Sequence, residues 1–176
     1  MNLFRTLSGA AVALFIGAGM TSCLQAPDYS DTPHIEENAV TVFRKNDAFG
    51  LRDSVEIALN FEDGDGDLGL NITDTDGVFG DRNNRLYNNY FVQVYYKNTL
   101  GAFVPLVQSS GYDGRFIRLT NPDSRPGPIR GVLRYAIPFS LLNPATVAGT
   151  ELRFLVSIYD RALHESNRIT TKSVTL

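Results

Sequence analysis

Short stretches of strict period-2 alternation, Gly-, Pro- and Asn-bearing turns between them, and no long 3.6-residue apolar pattern together predict an all-β domain. The chain has 176 residues with 15 Gly, 8 Pro and no Trp. Its length and its compact final loop favour an antiparallel immunoglobulin-like β-sandwich of about eight strands. The clearest element is Arg52 to Phe61, where Val55, Ile57, Leu59 and Phe61 share one side and Ser54, Glu56, Ala58 and Asn60 the other. That pattern suits a strand with one face in the core.

The remaining elements follow in order. Ile35 to Arg44 is the first strand, and Tyr90 to Lys97 (YFVQVYYK) is dense in aromatic and β-branched residues. Asn98-Thr99-Leu100-Gly101 makes a hairpin link to a run over Ala102 to Gln108. Arg115 to Leu119 is a short expected strand, and Gly131 to Pro138 sets Leu133, Tyr135 and Ile137 opposite Val132, Arg134 and Ala136. Leu152 to Tyr159 places Leu152, Phe154, Val156 and Ile158 on one face, and Arg168 to Leu176 closes the domain. One short helical turn is expected within Phe139 to Thr146.

Composition narrows the function classes. Sixteen Lys and Arg against 19 Asp and Glu leave a net charge of −3, so no global positive field draws the chain to nucleic acid. A single Cys excludes an intramolecular disulfide and a Cys-rich zinc module. Two histidines, His34 and His164, and no G-x-S-x-G elbow give no basis for a hydrolytic triad or a catalytic zinc, so the chain is expected not to be an enzyme.

Met1 to Arg5 carries one basic side chain, and Leu7 to Met20 (LSGAAVALFIGAGM) is apolar or small throughout. The run is short for a bilayer span and fits a secretory signal peptide over residues 1–22. Met20-Thr21-Ser22-Cys23 resembles the lipobox of bacterial lipoproteins, with Met20 where Leu is commoner. The resemblance implies that Cys23, the sole Cys, becomes the first mature residue and is acylated. Residues 23–33 hold Pro27 and Pro33 among small polar residues and are expected to form a flexible lipidated tether ahead of a β-domain over 34–176.

Phe61-Glu62-Asp63-Gly64-Asp65-Gly66-Asp67-Leu68-Gly69-Leu70 is the one stretch with evident chemistry. Seven carboxylates and no Lys or Arg lie between Glu62 and Asp81. Oxygen ligands on a Gly-broken loop suit calcium, which takes about 6–8 of them, better than the rigid octahedron of magnesium. Asp63, Asp65, Asp67, Asp74, Asp76 and, from the end of LRFLVSIYD, Asp160 are the candidate ligands of a structural calcium ion. The loop is not an EF-hand: Asp63, Asp65 and Asp67 match its first, third and fifth positions and Asp74 its twelfth. Leu68, however, stands where the turn needs Gly, and no flanking helices are expected. A solvated turn whose Asp and Gly serve only its geometry is the competing explanation.

The F-E-D-G-D-G-D-L-G-L run, YFVQVYYK and V-S-I-Y-D-R-A-L-H-E-S-N-R-I-T-T resemble small Bacteroidota lipoproteins of uncertain function over most of 33–176. That resemblance implies an outer-membrane, lipid-anchored β-domain and no known chemistry. Membrane attachment through the lipid and an outer-membrane protein partner are the expected associations, and the leaflet face stays open. Three functions fit: a non-catalytic binding or accessory protein, a structural subunit of a transport or assembly complex, and an envelope-glycan enzyme built on the Asp pairs. Arg115, Arg118, Arg125, Arg130 and Arg134 offer a basic stripe, and Tyr87, Tyr90, Tyr95 and Tyr96 are expected to divide between core and surface.

Overall fold

The computed structural model describes residues 27–47, 50–107, 111–121, 123–140 and 145–176. The signal segment, Cys23 and the start of the tether lie outside them, as does the middle half of the expected helical turn, residues 141–144. Among the described residues no helix is long and apolar enough to cross a membrane.

Among the described residues eight strands form two antiparallel sheets. The first sheet holds β1 (His34–Asp47), β2 (Gly50–Asp63) and β5 (Ile129–Ser140) in the order β1-β2-β5. The second holds β3 (Tyr90–Lys97), β4 (Phe103–Pro105), β6 (Glu151–Ile158), β7 (Ile169–Thr170) and β8 (Val174–Thr175). Its order is β4-β3-β6-β7, with β8 also on β6. Taking β7 and β8 as one interrupted last strand, this is the A-B-E and C′-C-F-G order of an immunoglobulin-like sandwich.

The alternation in the sequence becomes the core. Val55, Ile57, Leu59 and Phe61 of β2 face Leu152, Phe154, Val156 and Ile158 of β6, all buried, with Tyr90, Val92 and Val94 beside them. Tyr90 stacks on Tyr135 of β5 with centroids 4.2 Å apart. In β1 the inward set shifts from Ile35 to Val40 and Val42 because the register slips between Glu37 and Ala39. A bulge there adds the residue that changes the phase.

Two expected elements differ. Arg115 to Leu119 is not a strand: Asn89 brackets Phe116, accepting from its N–H at 2.8 Å and donating to its carbonyl at 3.2 Å. The Arg115 guanidinium donates to the carbonyls of Asn71, Asp74, Phe79 and Tyr87. Together with two backbone bonds, from the Leu70 N–H to the Phe116 carbonyl at 3.0 Å and from the Leu119 N–H to the Leu68 carbonyl at 3.3 Å, these side-chain bonds hold the segment without a full ladder, and the eighth strand comes instead from the division of the last one. Of the 102–108 run, described as far as Val107, the strand covers only Phe103–Pro105, and the Leu106 N–H adds one more bond to the Val94 carbonyl at 2.8 Å.

The strand directions define two ends. β1, β3 and β5 start, and β2 and β6 finish, at one end, where loop 64–89, the segment leading into β5 and the turn after β6 converge. The acidic run lies at that end.

Candidate metal centre

The strand period drives two carboxylates into the interior. Along β2 the inward positions run Asp53, Val55, Ile57, Leu59, Phe61, Asp63, so an Asp terminates the core face at each end. Both are 0% exposed. Asp53 has a cation: Arg44 grips it with two hydrogen bonds of 2.7 and 2.8 Å. Asp63 has none. On β6 the inward series Leu152, Phe154, Val156, Ile158 continues to Asp160, also buried. The opposed sheets therefore each end their core face in a carboxylate at the acidic end, and an isolated bridge between Leu68 and Asp160 joins the two segments.

Oxygen atoms of Asp63, Asp65 and Asp67 lie within 4.8 Å of one another. The loop reaches this shape through Gly66, whose φ of +74° is disfavoured for a residue with a Cβ. It is held from outside by Gly127, donating to the Asp65 carbonyl at 3.0 Å, and by the Thr120 hydroxyl, donating to the Gly66 carbonyl at 3.0 Å. The Asp67 N–H donates to Asp63 Oδ2 at 3.1 Å and to Asp65 Oδ1 at 3.2 Å, and Asp67 Oδ2 accepts from the Ala162 N–H at 3.0 Å. Asp63 Oδ1 and Asp67 Oδ1 are buried and accept no hydrogen bond from the described residues.

Two unit charges 4 Å apart repel by roughly 4 kcal/mol at an effective dielectric constant near 20, and three carboxylates make three such pairs. Hydrogen bonds to a charged group contribute about 1.5–3 kcal/mol each. The few N–H donors present are therefore outweighed, and the cluster needs positive charge or a proton. Accordingly burial, and then the charges of Asp65, Asp67 and Asp160, push the Asp63 carboxyl up to about 7. Burial also raises Asp67, with Asp160 and Asp65 adding to it and Arg161 opposing. These three carboxylates are thus able to hold a metal ion.

The other expected ligands are placed differently. Asp160 sits beside the trio but its oxygens are engaged by His164, through the backbone N–H at 2.7 Å and Nδ1 at 2.9 Å. Burial raises Asp160 despite those bonds, and the carboxylate in turn raises the exposed His164 ring. Asp74 is drawn away: it accepts from the Asn71 N–H at 2.7 Å and pairs with Arg118 at 3.3 Å. Asp76 is exposed and precedes a single 3-10 turn without capping it. The trio leaves both outside, because a metal ligand must converge with its neighbours and these two turn to other partners.

The arginines do not form a stripe. Arg115 is spent on loop carbonyls, Arg118 on Asp74 and Arg134 on Glu56 at 2.8 Å. Arg118, Arg125 and Arg161 instead border a cavity of about 490 Å³ that Asp65, Asp67 and Pro27 also line. The four tyrosines divide as expected: Tyr90 and Tyr96 pack on the core, and Tyr87 and Tyr95 lie under Arg115 and Arg153.

No family model matches the chain, and neither a curated protein nor a solved structure is detectably similar to it.

Proposed function

We propose that this protein is a non-catalytic binding or accessory module of the bacterial outer membrane. Acyl chains on Cys23 anchor it, and a structural calcium ion on Asp63, Asp65 and Asp67 stiffens it. The observation that carries the calcium reading is Asp63: a fully buried carboxylate on the core face of β2, with one oxygen unpartnered and no cation of its own, where Asp53 at the other end of the same face has Arg44. A turn needing Asp and Gly only for its geometry has no reason to bury a charge. The ion fixes the loop that carries the cavity border, and with it the surface offered to a partner. The anchor is supported by the Met20-Thr21-Ser22-Cys23 motif and by the use of the only thiol at that position.

Thermal unfolding of the mature chain with calcium, magnesium or EDTA tests the metal reading. Ligand at a hundredfold excess over Kd stabilises by about 2.7 kcal/mol, so calcium raises the midpoint by roughly 5–10 °C for a domain of this size. EDTA reverses the rise and magnesium gives less of it. A midpoint indifferent to millimolar calcium refutes the metal. Mass spectrometry of the protein purified from membranes, with a diacylglyceryl adduct expected on Cys23, tests the anchor separately.

A further inference from the structure

We infer that the domain stands on its membrane with the acidic end down, so that the loops carrying Ile72 and Ile117 face the lipid headgroups. The inference rests on the acylation of Cys23 proposed above and adds an orientation to it. Residues 29–31, expected to belong to a loose tether, lie against the domain. The Gly64 N–H donates to the Ser30 carbonyl at 2.8 Å, and a Cβ on Gly64 would collide with the Tyr29 carbonyl. Pro33 is buried, and Pro27 lines the cavity beside Asp65 and Asp67. The chain therefore joins the body of the domain at its acidic end.

Chain length does the rest. Cys23 is four residues from Pro27, a reach of at most about 14 Å. The strand β2 alone runs 14 residues from the far end to this one, roughly 45 Å. A lipid on Cys23 thus holds the acidic end near the bilayer and cannot bring the far end to it.

The surface presented there suits a headgroup layer. Ile72 is 93% and Ile117 75% exposed, and they share a recess with Tyr87 and Arg82. Exposed Arg125 borders the neighbouring cavity. Apolar tips flanked by guanidinium groups match the boundary between acyl chains and phosphates, which side chains enter to about 5–10 Å. The carboxylates of the same end repel anionic lipid, so a divalent ion in the trio strengthens the approach.

The chain has no Trp, so single-Trp variants report position without background. Ile72→Trp marks the acidic end, and Leu100→Trp, at an exposed hairpin tip, marks the far end. The mature chain of each variant is coupled through Cys23 to a maleimide lipid in vesicles of phosphatidylethanolamine and phosphatidylglycerol containing dibrominated lipid. This coupling makes the result independent of whether cells acylate Cys23. Several-fold stronger quenching of the Ile72→Trp emission than of Leu100→Trp is expected. Equal quenching, stronger quenching of Leu100→Trp, or none of either overturns the orientation. Quenching of Ile72→Trp that survives EDTA supports the orientation while removing calcium from it. Gly64→Val, which unseats residues 29–31, is expected to weaken the difference between the two reporters, and an undiminished difference in a folded Gly64→Val background overturns the role given to the seated tail.

Discussion

Replacing Asp63 by Asn removes a charge while keeping the side chain's shape and its ability to accept from the Asp67 N–H. In the metal-free protein the folded-state value of Asp63 is about 7, against 3.8 when unperturbed. The folded state therefore holds a proton that the unfolded chain has already released between those two values. Its contribution to stability is present at acid pH and is lost as pH rises toward 7. At about 1.4 kcal/mol per pKa unit, three units amount to a ceiling of roughly 4 kcal/mol at neutral pH. Asp63→Asn should thus raise the metal-free midpoint at pH 7.5 by up to about 15 °C and flatten its fall between pH 4 and 7. The same substitution takes away one of three carboxylate ligands, so the rise on adding calcium should shrink or vanish. The assay is calorimetry of both proteins across pH, with calcium and with EDTA. A metal-free Asp63→Asn protein that melts below its parent, or that keeps the whole calcium response, refutes the account of Asp63 as a buried charge awaiting a cation.

Other perturbations probe the support of the site. Gly66→Ala forces a Cβ into a φ of +74° and to 2.5 Å from the Gly127 carbonyl; urea unfolding should show a loss of at least about 1–2 kcal/mol, with a weaker calcium response. Arg115→Ala removes four hydrogen bonds to loop carbonyls and should cost about 2–3 kcal/mol. Hydrogen exchange should then quicken over residues 71–88 while β2 and β6 stay protected. Glu165 is held down to about 2 by Arg168, helped by Tyr159 and Ser157 against its partial burial. Its stabilising contribution is complete above 4.5 and disappears as pH falls through 2, so Glu165→Gln should remove part of the acid slope of the midpoint.

Much of this molecule is legible from residue order because its strands obey their period. The β2 and β6 alternations locate the core, and both continue without interruption into an Asp. Carrying the β2 period two residues further, from Phe61 to Asp63, would have shown that this carboxylate points inward with the core; treating the acidic run as a loop from Asp63 onward hides that. Asp74 and Asp76 share the composition of the trio but not its phase, and composition alone cannot separate them. The role of Arg115 left no local signal, since its acceptors come from residues 28 to 44 positions away. The seating of residues 29–31 was equally hidden. Two prolines and a few small polar residues describe a free tether as well as they describe a segment laid along Gly64, and only the three-dimensional neighbourhood tells them apart.

The interrupted last strand has a consequence for life at high density. Every sheet margin offers unused N–H and C=O groups to a neighbouring molecule. In the larger sheet one margin is β4, only three residues long, and the other is divided into β7 and β8 of two residues each. In the smaller sheet β5 carries Pro138 within its length. The remaining margin, β1, is 14 residues long and is interrupted only by the bulge between Glu37 and Ala39, so the smaller sheet is the one more open to an incoming strand. The larger sheet is thus guarded on both sides against adding a strand from a second molecule, and the smaller sheet is guarded less.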